Sequence, residues 1–264
     1  MSHPKESDFF GAEFDRGEKW YRSLFSNPDA PITGDITPWY WNDDESIRRI
    51  SELNTTPQVI LVLRNPEHRA ISHWMLVHAA EKGDLSAADL DGLESLAPDT
   101  KFIQRSMYGS LWERLTRRIP VERITVLIYE ELSRDPGTFR RKLFSAVGAD
   151  PELASEVVEK RVNPSAGYRF PGLFRSLRGV SRFCARTPGL AAMRRWVHER
   201  TALRERVLEA MVRDDDVRGD RQPVDRLPEH SRAVLREDLR KFIELSGIEL
   251  PEAWADCMST SSKS

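Results

Sequence analysis

The sequence has little cysteine, no long apolar run and almost no net charge. Two cysteines in 264 residues, Cys184 and Cys257, are too few for a disulfide framework or a zinc site. The longest aliphatic run, Val59 to Leu63, is far shorter than the about 18 apolar residues that a membrane span needs. A formal net charge of −2 argues against a general nucleic-acid binder. These absences exclude a small disulfide scaffold and a transmembrane segment, and they indicate a cytoplasmic protein.

The composition that remains is that of a globular protein. Hydrophobic residues make up 39% of the chain and charged residues 31%. The charge is uneven, because residues 160–213 hold 13 Lys or Arg against 3 Asp or Glu. Such a basic segment could face phosphate or sulfate anions, or it could form the solvated face of helices.

The pattern of aliphatic runs and helix caps predicts alternating strands and helices. The predicted elements are a short strand at 32–36, a strand at 59–63, a helix from Asn65-Pro66 to about 82, a helix at 106–118, a strand at 124–129 and a helix from Asp135-Pro136 to about 147. Continuous aliphatic strands are typical of parallel sheets that are buried on both faces. Asn-Pro and Asp-Pro place a capping side chain before a proline, as at helix starts. We therefore predict an α/β fold with a parallel sheet flanked by helices.

After about residue 150 the pattern is helical, with long candidate helices at 188–212 and 228–246. We predict a single domain over residues 1–258, with an α/β core at 1–150 and a helical portion at 151–258. Residues 259–264, rich in serine, are expected to form a disordered tail.

The most informative segment joins the first buried strand to its helix. Arg64 ends the predicted strand, where ligands of open α/β sheets bind, and Ser72 lies about two turns into the following helix. A guanidinium fork and a hydroxyl held by these two elements could share one phosphate. Alternatively, Arg64 pairs with a carboxylate and Ser72 is a packing residue.

The string Leu-Arg-Asn-Pro-x-x-Arg-x-x-Ser-x-Trp at 63–74 resembles the 3′-phosphate-binding segment of the sulfotransferases. These enzymes use 3′-phosphoadenosine 5′-phosphosulfate (PAPS), and the resemblance implies that Arg64 and Ser72 bind its 3′-phosphate. Four aromatic residues are candidates for stacking on adenine or a sugar, although core packing is the commoner fate: Trp39, Tyr40, Trp74 and Tyr108. We place Tyr108 among the nucleotide-binding residues.

Two earlier segments resemble elements of the glycan-type and related bacterial sulfotransferases. Lys5 to Phe10 resembles a Glu-x-x-Phe-Phe element whose glutamate is the proposed base, so the resemblance implies that Glu6 is catalytic. Gly34 to Tyr40 resembles a Glu-Lys-Thr-Pro-x-Tyr turn, with Ile36 where glycan-type members often carry lysine. The implied fold is P-loop-NTPase-like, and a general base within reach of the acceptor hydroxyl suits the chemistry.

One expected element of this family is missing from the sequence. No Lys-x-Gly-Thr loop or G-x-x-x-x-G-K-[ST] motif is present to cradle the 5′-phosphosulfate. A gene start assigned too far downstream, with about thirty more residues in the working protein, is the explanation that we favour. The other explanation is a shortened relative that has lost activity.

The sequence therefore predicts transfer of a sulfuryl group from PAPS to a hydroxyl of a carbohydrate or small molecule, with no metal. A non-catalytic nucleotide-binding or interaction protein is the alternative. A kinase of the same broad fold is disfavoured by the absent Walker lysine. Arg169 and Arg175 are weak candidates for nucleotide contacts. The helix at 189–212 could cover the acceptor pocket, pair with a second copy as a homodimer or rest on a membrane surface, although simple packing on the domain is the plainest interpretation.

Overall fold

A computed structural model describes residue 2 and residues 6–82, 88–156 and 227–258. The helices and strands are α1 (Gly17–Ser23), α2 (Asp44–Ser51), β1 (Val59–Leu63), α3 (Pro66–Lys82), α4 (Lys101–Gln104), α5 (Tyr108–Thr116), β2 (Ile124–Ile128), α6 (Tyr129–Arg134), α7 (Pro136–Ala146), α8 (Glu229–Ser246) and α9 (Ala255–Met258). The chain divides into two compact units, and the first division falls within α3. The first unit takes Met1–Arg69, Ala97–Val158 and Glu229–Ser264, and the second takes Ala70–Leu96 and Glu159–Pro228. The single domain that the sequence predicts stays a prediction.

The two predicted aliphatic strands form a parallel pair in the first unit. Val59 of β1 lies opposite Ile124 of β2, and Leu63 lies opposite Ile128, so both strands end at the same edge. Leu61 and Leu63 turn their side chains into the core. The predicted α/β class with a parallel sheet flanked by helices is confirmed.

The predicted short strand at 32–36 is wrong. These residues form no strand ladder with any described part of the chain. The backbone carbonyl of Gly34 instead accepts a hydrogen bond from the Ser2 N–H at 3.0 Å. The carboxylate of Asp35 is occupied by hydroxyl groups, so side chains rather than a neighbouring strand fix this segment.

The predicted helix caps are confirmed. The Asn65 side chain accepts hydrogen bonds from the N–H groups of Glu67 and His68, and the Asp135 side chain accepts one from Thr138. Gly148 and Gly247 follow α7 and α8 with φ values of 71° and 66°, a conformation that glycine adopts without strain. The predicted helix at 106–118 is shorter, because α5 runs only from Tyr108 to Thr116.

The core of the first unit lies between β1, β2, α5 and α8. Its buried residues are Ile47, Leu61, Leu63, Tyr108, Leu111, Trp112, Leu115, Ile119, Ile128, Leu239, Phe242, Trp254 and Cys257. Helix α8 packs on α5 at Gly109, where an added Cβ would lie 2.3 Å from the backbone oxygen of Asp238. Any side chain at position 109 would therefore force the two helices apart.

A buried carboxylate of α8 also caps the start of α5. Asp238, 5% exposed, accepts the backbone N–H groups of Gly109 at 2.7 Å and Ser110 at 3.0 Å. The Ser110 hydroxyl donates to the same carboxylate at 2.5 Å. Two N–H groups at the helix start that lack partners within the helix are thereby paired, by a residue from another helix.

The described part of the second unit contains α3 from Ala70 and a 3-10 helix at Ala88–Ser95. The Trp74 ring stacks on His78, with 4.0 Å between ring centroids. A Cβ at Gly92 would lie 2.9 Å from the Trp74 ring, so this position accepts only glycine without a shift. No helix in the described ranges is long and apolar enough to cross a membrane.

Several predicted features lie outside the described residues. They are the helix at 188–212, the nucleotide contacts of Arg169 and Arg175, Cys184, and the tail at 259–264.

Candidate functional site

Arg64 lies where both parallel strands end. It follows the last residue of β1, opposite the end of β2, and its side chain is half-buried. The guanidinium carbon lies 5.3 Å from the centroid of the Tyr129 ring, which is 41% exposed. The structure thus places a cation on the carboxyl edge of a parallel sheet, the usual ligand-binding edge of such folds.

Side chains from distant elements hold the backbone at this edge. The Tyr108 hydroxyl donates to the Arg64 carbonyl at 2.7 Å, and the Asn65 N–H donates to Glu130 Oε1 at 2.9 Å. Glu130 Oε2 accepts the indole N–H of Trp254 at 3.0 Å. Because both backbone groups are paired, Arg64 projects from a fixed strand end.

Tyr108 lies in the core rather than on an open surface. Its ring is 1% exposed, with ring centroids at 5.8 Å for Trp41, 6.2 Å for Trp254 and 6.3 Å for Phe242. Burial raises the pKa of Tyr108, so the hydroxyl remains a hydrogen-bond donor. In the described contacts it reaches the edge through the Arg64 carbonyl, and its predicted nucleotide contact stays a prediction.

The variant Tyr108→Phe is expected to lower the free energy of unfolding by about 1 kcal/mol, because the part-buried Arg64 carbonyl loses its donor. Urea denaturation would measure the change. Tyr129→Phe is the control, since that ring is 41% exposed and retains its contact with Arg64. Equal unfolding free energies in the two variants would contradict the assigned role of the Tyr108 hydroxyl.

The structure places three more of the predicted residues, Ser72, Trp74 and Trp39, in surroundings that differ from one another. Ser72 is half-buried in α3, two turns after the Asn65 cap, as the sequence predicts. Trp74 is buried in the second unit. Trp39 is 40% exposed, and the Arg105 guanidinium carbon lies 4.3 Å from its ring centroid. The sharing of one phosphate by Arg64 and Ser72 stays a prediction.

A buried carboxylate follows Arg64 in the first turn of α3. Glu67 is 2% exposed, and Arg232 of α8 donates to it over 3.3 Å. Burial raises the pKa of Glu67, and the charge of Arg232 opposes that rise. The neighbouring thiol of Cys257 has its pKa raised to about 12 by burial and by the Glu67 charge. The start of α3 is therefore tied to the C-terminal helices by a charge pair inside the protein.

Glu6 is the exposed residue of the segment 6–10, here called the Glu6 segment, which aromatic packing anchors. Its side chain is exposed, whereas Phe9 and Phe10 are 4% and 5% exposed. The Phe9 ring stacks on Tyr21 at 4.2 Å, and the Phe10 ring meets Tyr40 edge-on at 5.4 Å. The two phenylalanines of the segment thus serve as anchors, and the carboxylate is left facing solvent. The role of Glu6 as a base stays a prediction.

The structure adds Asp35 to the candidate site. Its carboxylate accepts hydrogen bonds from five hydroxyls, those of Ser2, Ser7, Tyr21, Thr37 and Tyr40. Burial and the Asp35 charge raise the pKa of Tyr40 to about 12. Sequence reasoning placed Asp35 only within a turn motif. The donors come from separate segments of the chain, so the sequence does not show that they meet. The one sequence signal for this role is an acidic residue in the turn with no basic residue beside it.

Comparisons with known proteins find relatives whose sequences match about half of this chain. No protein-family model matches. The chain is 32% identical over 135 residues to heparan sulfate glucosamine 3-O-sulfotransferase 6 of Mus musculus, covering 50% of this chain and 40% of the mouse protein. It is 30% identical over 142 residues to heparan sulfate glucosamine 3-O-sulfotransferase 3B1 of Homo sapiens, covering 50% and 35%. The matched regions thus span less than half the length of these relatives.

A solved structure matches over most of the chain. The crystal structure of a sulfotransferase from Alicyclobacillus acidocaldarius has a TM-score of 0.55 to this chain, with 17% sequence identity. The match covers 96% of this chain and 87% of the bacterial one. At this identity the likeness shows a shared fold.

Proposed function

This chain is a homologue of the sulfotransferases, and we propose that it moves a sulfuryl group from PAPS to a hydroxyl of a carbohydrate or small molecule. Its sequence relatives are sulfotransferases, and it shares the fold of a bacterial one. The relatives' names specify a glucosamine of heparan sulfate, so a carbohydrate hydroxyl is the first acceptor to test.

The observation that carries the proposal is the fixed arginine at the end of β1. A terminal 3′-phosphate is dianionic, and the Arg64 guanidinium offers paired N–H donors for two of its oxygens. The Asn65 cap and Pro66 start α3 at once, which keeps Ser72 in a helix that follows the strand directly. The placement of Arg64 fits a binding residue for the 3′-phosphate of PAPS, and the sequence motif proposes Ser72 as the second one.

In the proposed reaction the acceptor oxygen attacks sulfur in line with the departing phosphate oxygen. The new S–O bond forms while the bond between sulfur and that phosphate oxygen breaks, releasing adenosine 3′,5′-bisphosphate (PAP). Glu6 takes the proton of the acceptor hydroxyl, which is a poor nucleophile while protonated. No group of three or more His, Cys, Asp or Glu in the described ranges is placed to hold a metal ion.

The acceptor side carries apolar surface beside the Glu6 segment. Ile36 and Trp39, which flank Thr37 and Pro38, are 43% and 40% exposed. The backbone N–H of Asp8 donates to the Thr37 hydroxyl at 3.4 Å, so this turn lies against the segment that carries Glu6. An exposed indole suits stacking on the apolar face of a sugar ring or a small molecule.

The test compares the binding of PAP with that of adenosine 5′-phosphate, which lacks the 3′-phosphate, by calorimetry. We expect wild type to prefer PAP, and Arg64→Ala to lose about tenfold to a hundredfold in PAP affinity, since a charged hydrogen bond contributes about 1.5–3 kcal/mol. The affinity of Arg64→Ala for adenosine 5′-phosphate should be unchanged.

Arg22→Ala is the matched control, because Arg22 is exposed and pairs with Glu18 of the same helix. It should bind PAP as wild type does. Equal affinities of wild type for the two nucleotides would refute the 3′-phosphate site. PAP binding without turnover would favour the non-catalytic nucleotide-binding alternative.

A further inference from the structure

Five hydroxyl groups converge on the carboxylate of Asp35. Oδ2 accepts from Ser7 at 2.6 Å, Tyr40 at 2.8 Å and Tyr21 at 3.4 Å. Oδ1 accepts from Thr37 at 3.2 Å and Ser2 at 3.3 Å. An ionised carboxylate can only accept hydrogen bonds, so it fixes the direction of every hydroxyl proton around it.

Three of these hydroxyls also accept hydrogen bonds from the backbone of the Glu6 segment. Because each of these hydroxyls donates its proton to Asp35, the lone pairs of its oxygen can accept backbone N–H groups. The Thr37 hydroxyl accepts from Asp8 at 3.4 Å, the Ser7 hydroxyl from Phe9 at 3.2 Å and the Tyr40 hydroxyl from Phe10 at 3.4 Å. Consecutive backbone groups from 8 to 10 are thus held by one carboxylate through three bridges.

One residue of the segment has a left-handed backbone conformation. Asp8 has φ = 50°, a left-handed conformation that a residue with a side chain seldom adopts. Glu6 lies two residues before that turn, and its side chain faces solvent. An exposed carboxylate gains a defined direction only from the backbone that carries it, and that backbone is the one held by the Asp35 bridges.

We propose that Asp35 is a positioning residue that directs Glu6 at the acceptor hydroxyl by orienting the Ser7, Thr37 and Tyr40 hydroxyls. This inference rests on the proposed function for its catalytic part. The structural part, the holding of residues 8–10 by Asp35, stands without it. Asp35 acts through these hydroxyls and makes no contact of its own with the reacting atoms.

The test variant is Asp35→Asn, which keeps the shape but turns one oxygen into an N–H₂ donor. Hydroxyls that face this donor must redirect their protons, so the bridges to residues 8–10 weaken. We expect amide hydrogen exchange of Asp8, Phe9 and Phe10 to accelerate about tenfold or more. Unchanged exchange at these three amides would overturn the proposal.

The matched control is Asp135→Asn, in the same unit. Asp135 caps α7 by accepting the Thr138 N–H at 3.0 Å. Asparagine is an equally good cap, so exchange at residues 8–10 should remain as in wild type. If Asp35→Asn fails to fold, Tyr40→Phe removes a single bridge and keeps the ring that packs on Phe10. Its expected result is faster exchange at Phe10 alone.

The kinetic readout is PAP release from PAPS, with heparan sulfate as the acceptor probe. We expect Asp35→Asn to lower kcat about tenfold with an unchanged KM for PAPS, and to lower it no further in a Glu6→Gln background. Additive losses in the double variant would show that Asp35 acts independently of Glu6 and would overturn the positioning role. Wild type that binds PAP no better than adenosine 5′-phosphate would refute the proposed function, while the exchange result would still decide whether Asp35 holds the segment.

Discussion

The variant Glu6→Gln is expected to lose about 10²- to 10⁴-fold in kcat, the usual contribution of a general base. The amide has nearly the shape of the carboxylate but cannot accept the hydroxyl proton. The packing of Phe9 and Phe10 should be unaffected, since Glu6 is exposed and these rings are the anchors of the segment. Initial rates of PAP release with heparan sulfate would measure the loss, and calorimetry should give an unchanged affinity for PAP.

Glu13→Gln provides the control for this experiment. Glu13 is a half-buried glutamate close to the same segment, and its carboxylate pairs with Arg16 at 3.5 Å. Its replacement removes the same charge from the same region and should leave kcat within about twofold of wild type, because solvent-accessible pairs contribute about 1 kcal/mol or less. A similar loss in both variants would mean that overall charge, rather than a base at Glu6, sets the rate.

The second large effect is expected on stability. Arg232→Met should lower the free energy of unfolding by about 3 kcal/mol, because it leaves Glu67 as a buried charge without its main partner. Glu67 is 2% exposed and Arg232 lies 3.3 Å away. The charge of Arg236 also acts on Glu67 and remains in the variant, so we place the loss at the lower end for broken buried pairs. Urea denaturation at pH 7 would measure it.

The stability that Arg232→Met loses should increase as the pH rises. The pKa of Glu67 is raised by burial in the folded protein, so the folded state binds a proton more readily than the unfolded state does. Stability from this group is therefore greatest below its ordinary value of 4.5 and falls as pH rises above it. Removing Arg232 deepens that fall, so the variant should be closest to wild type below pH 4.5.

The double variant Glu67→Gln with Arg232→Met is the control for the charge argument. It removes both partners and leaves a neutral amide against Cys257 and Arg236, the other groups that act on Glu67. We expect it to recover part of the stability at pH 7 and to lose the pH dependence. A single variant as stable as wild type at pH 7 would show that solvent reaches Glu67.

Local patterns predicted the elements that carry Arg64. The aliphatic run Val59–Leu63 and the Asn65-Pro66 cap are contained in eight consecutive residues, and the structure confirms both. Such elements depend on neighbours along the chain, which a sequence displays directly. The strand predicted at 32–36 failed for the opposite reason: its hydrogen-bond partners, Ser2 and Ser7 among them, lie elsewhere in the chain.

The supporting contacts of the site could not be predicted from the sequence for the same reason. Glu130 joins the Asn65 N–H, 65 positions before it, to the Trp254 indole, 124 positions after it. The Tyr108 hydroxyl reaches back 44 positions to the Arg64 carbonyl. The sequence marks Tyr108 as an aromatic residue near the site, but only the fold shows that its ring lies in the core.

The Asp238 cap of α5 has a consequence for the order in which the protein folds during its synthesis. Its partner Gly109 lies 129 positions earlier, and the Glu67–Arg232 pair spans 165 positions. The ribosome synthesises β1, α5 and β2 long before α8. Neither bond can form until α8 has left the ribosome. Contacts between such distant residues form slowly. The edge that presents Arg64 is therefore completed only once α8 has emerged, and until then the emerging chain exposes the apolar faces that α8 later covers.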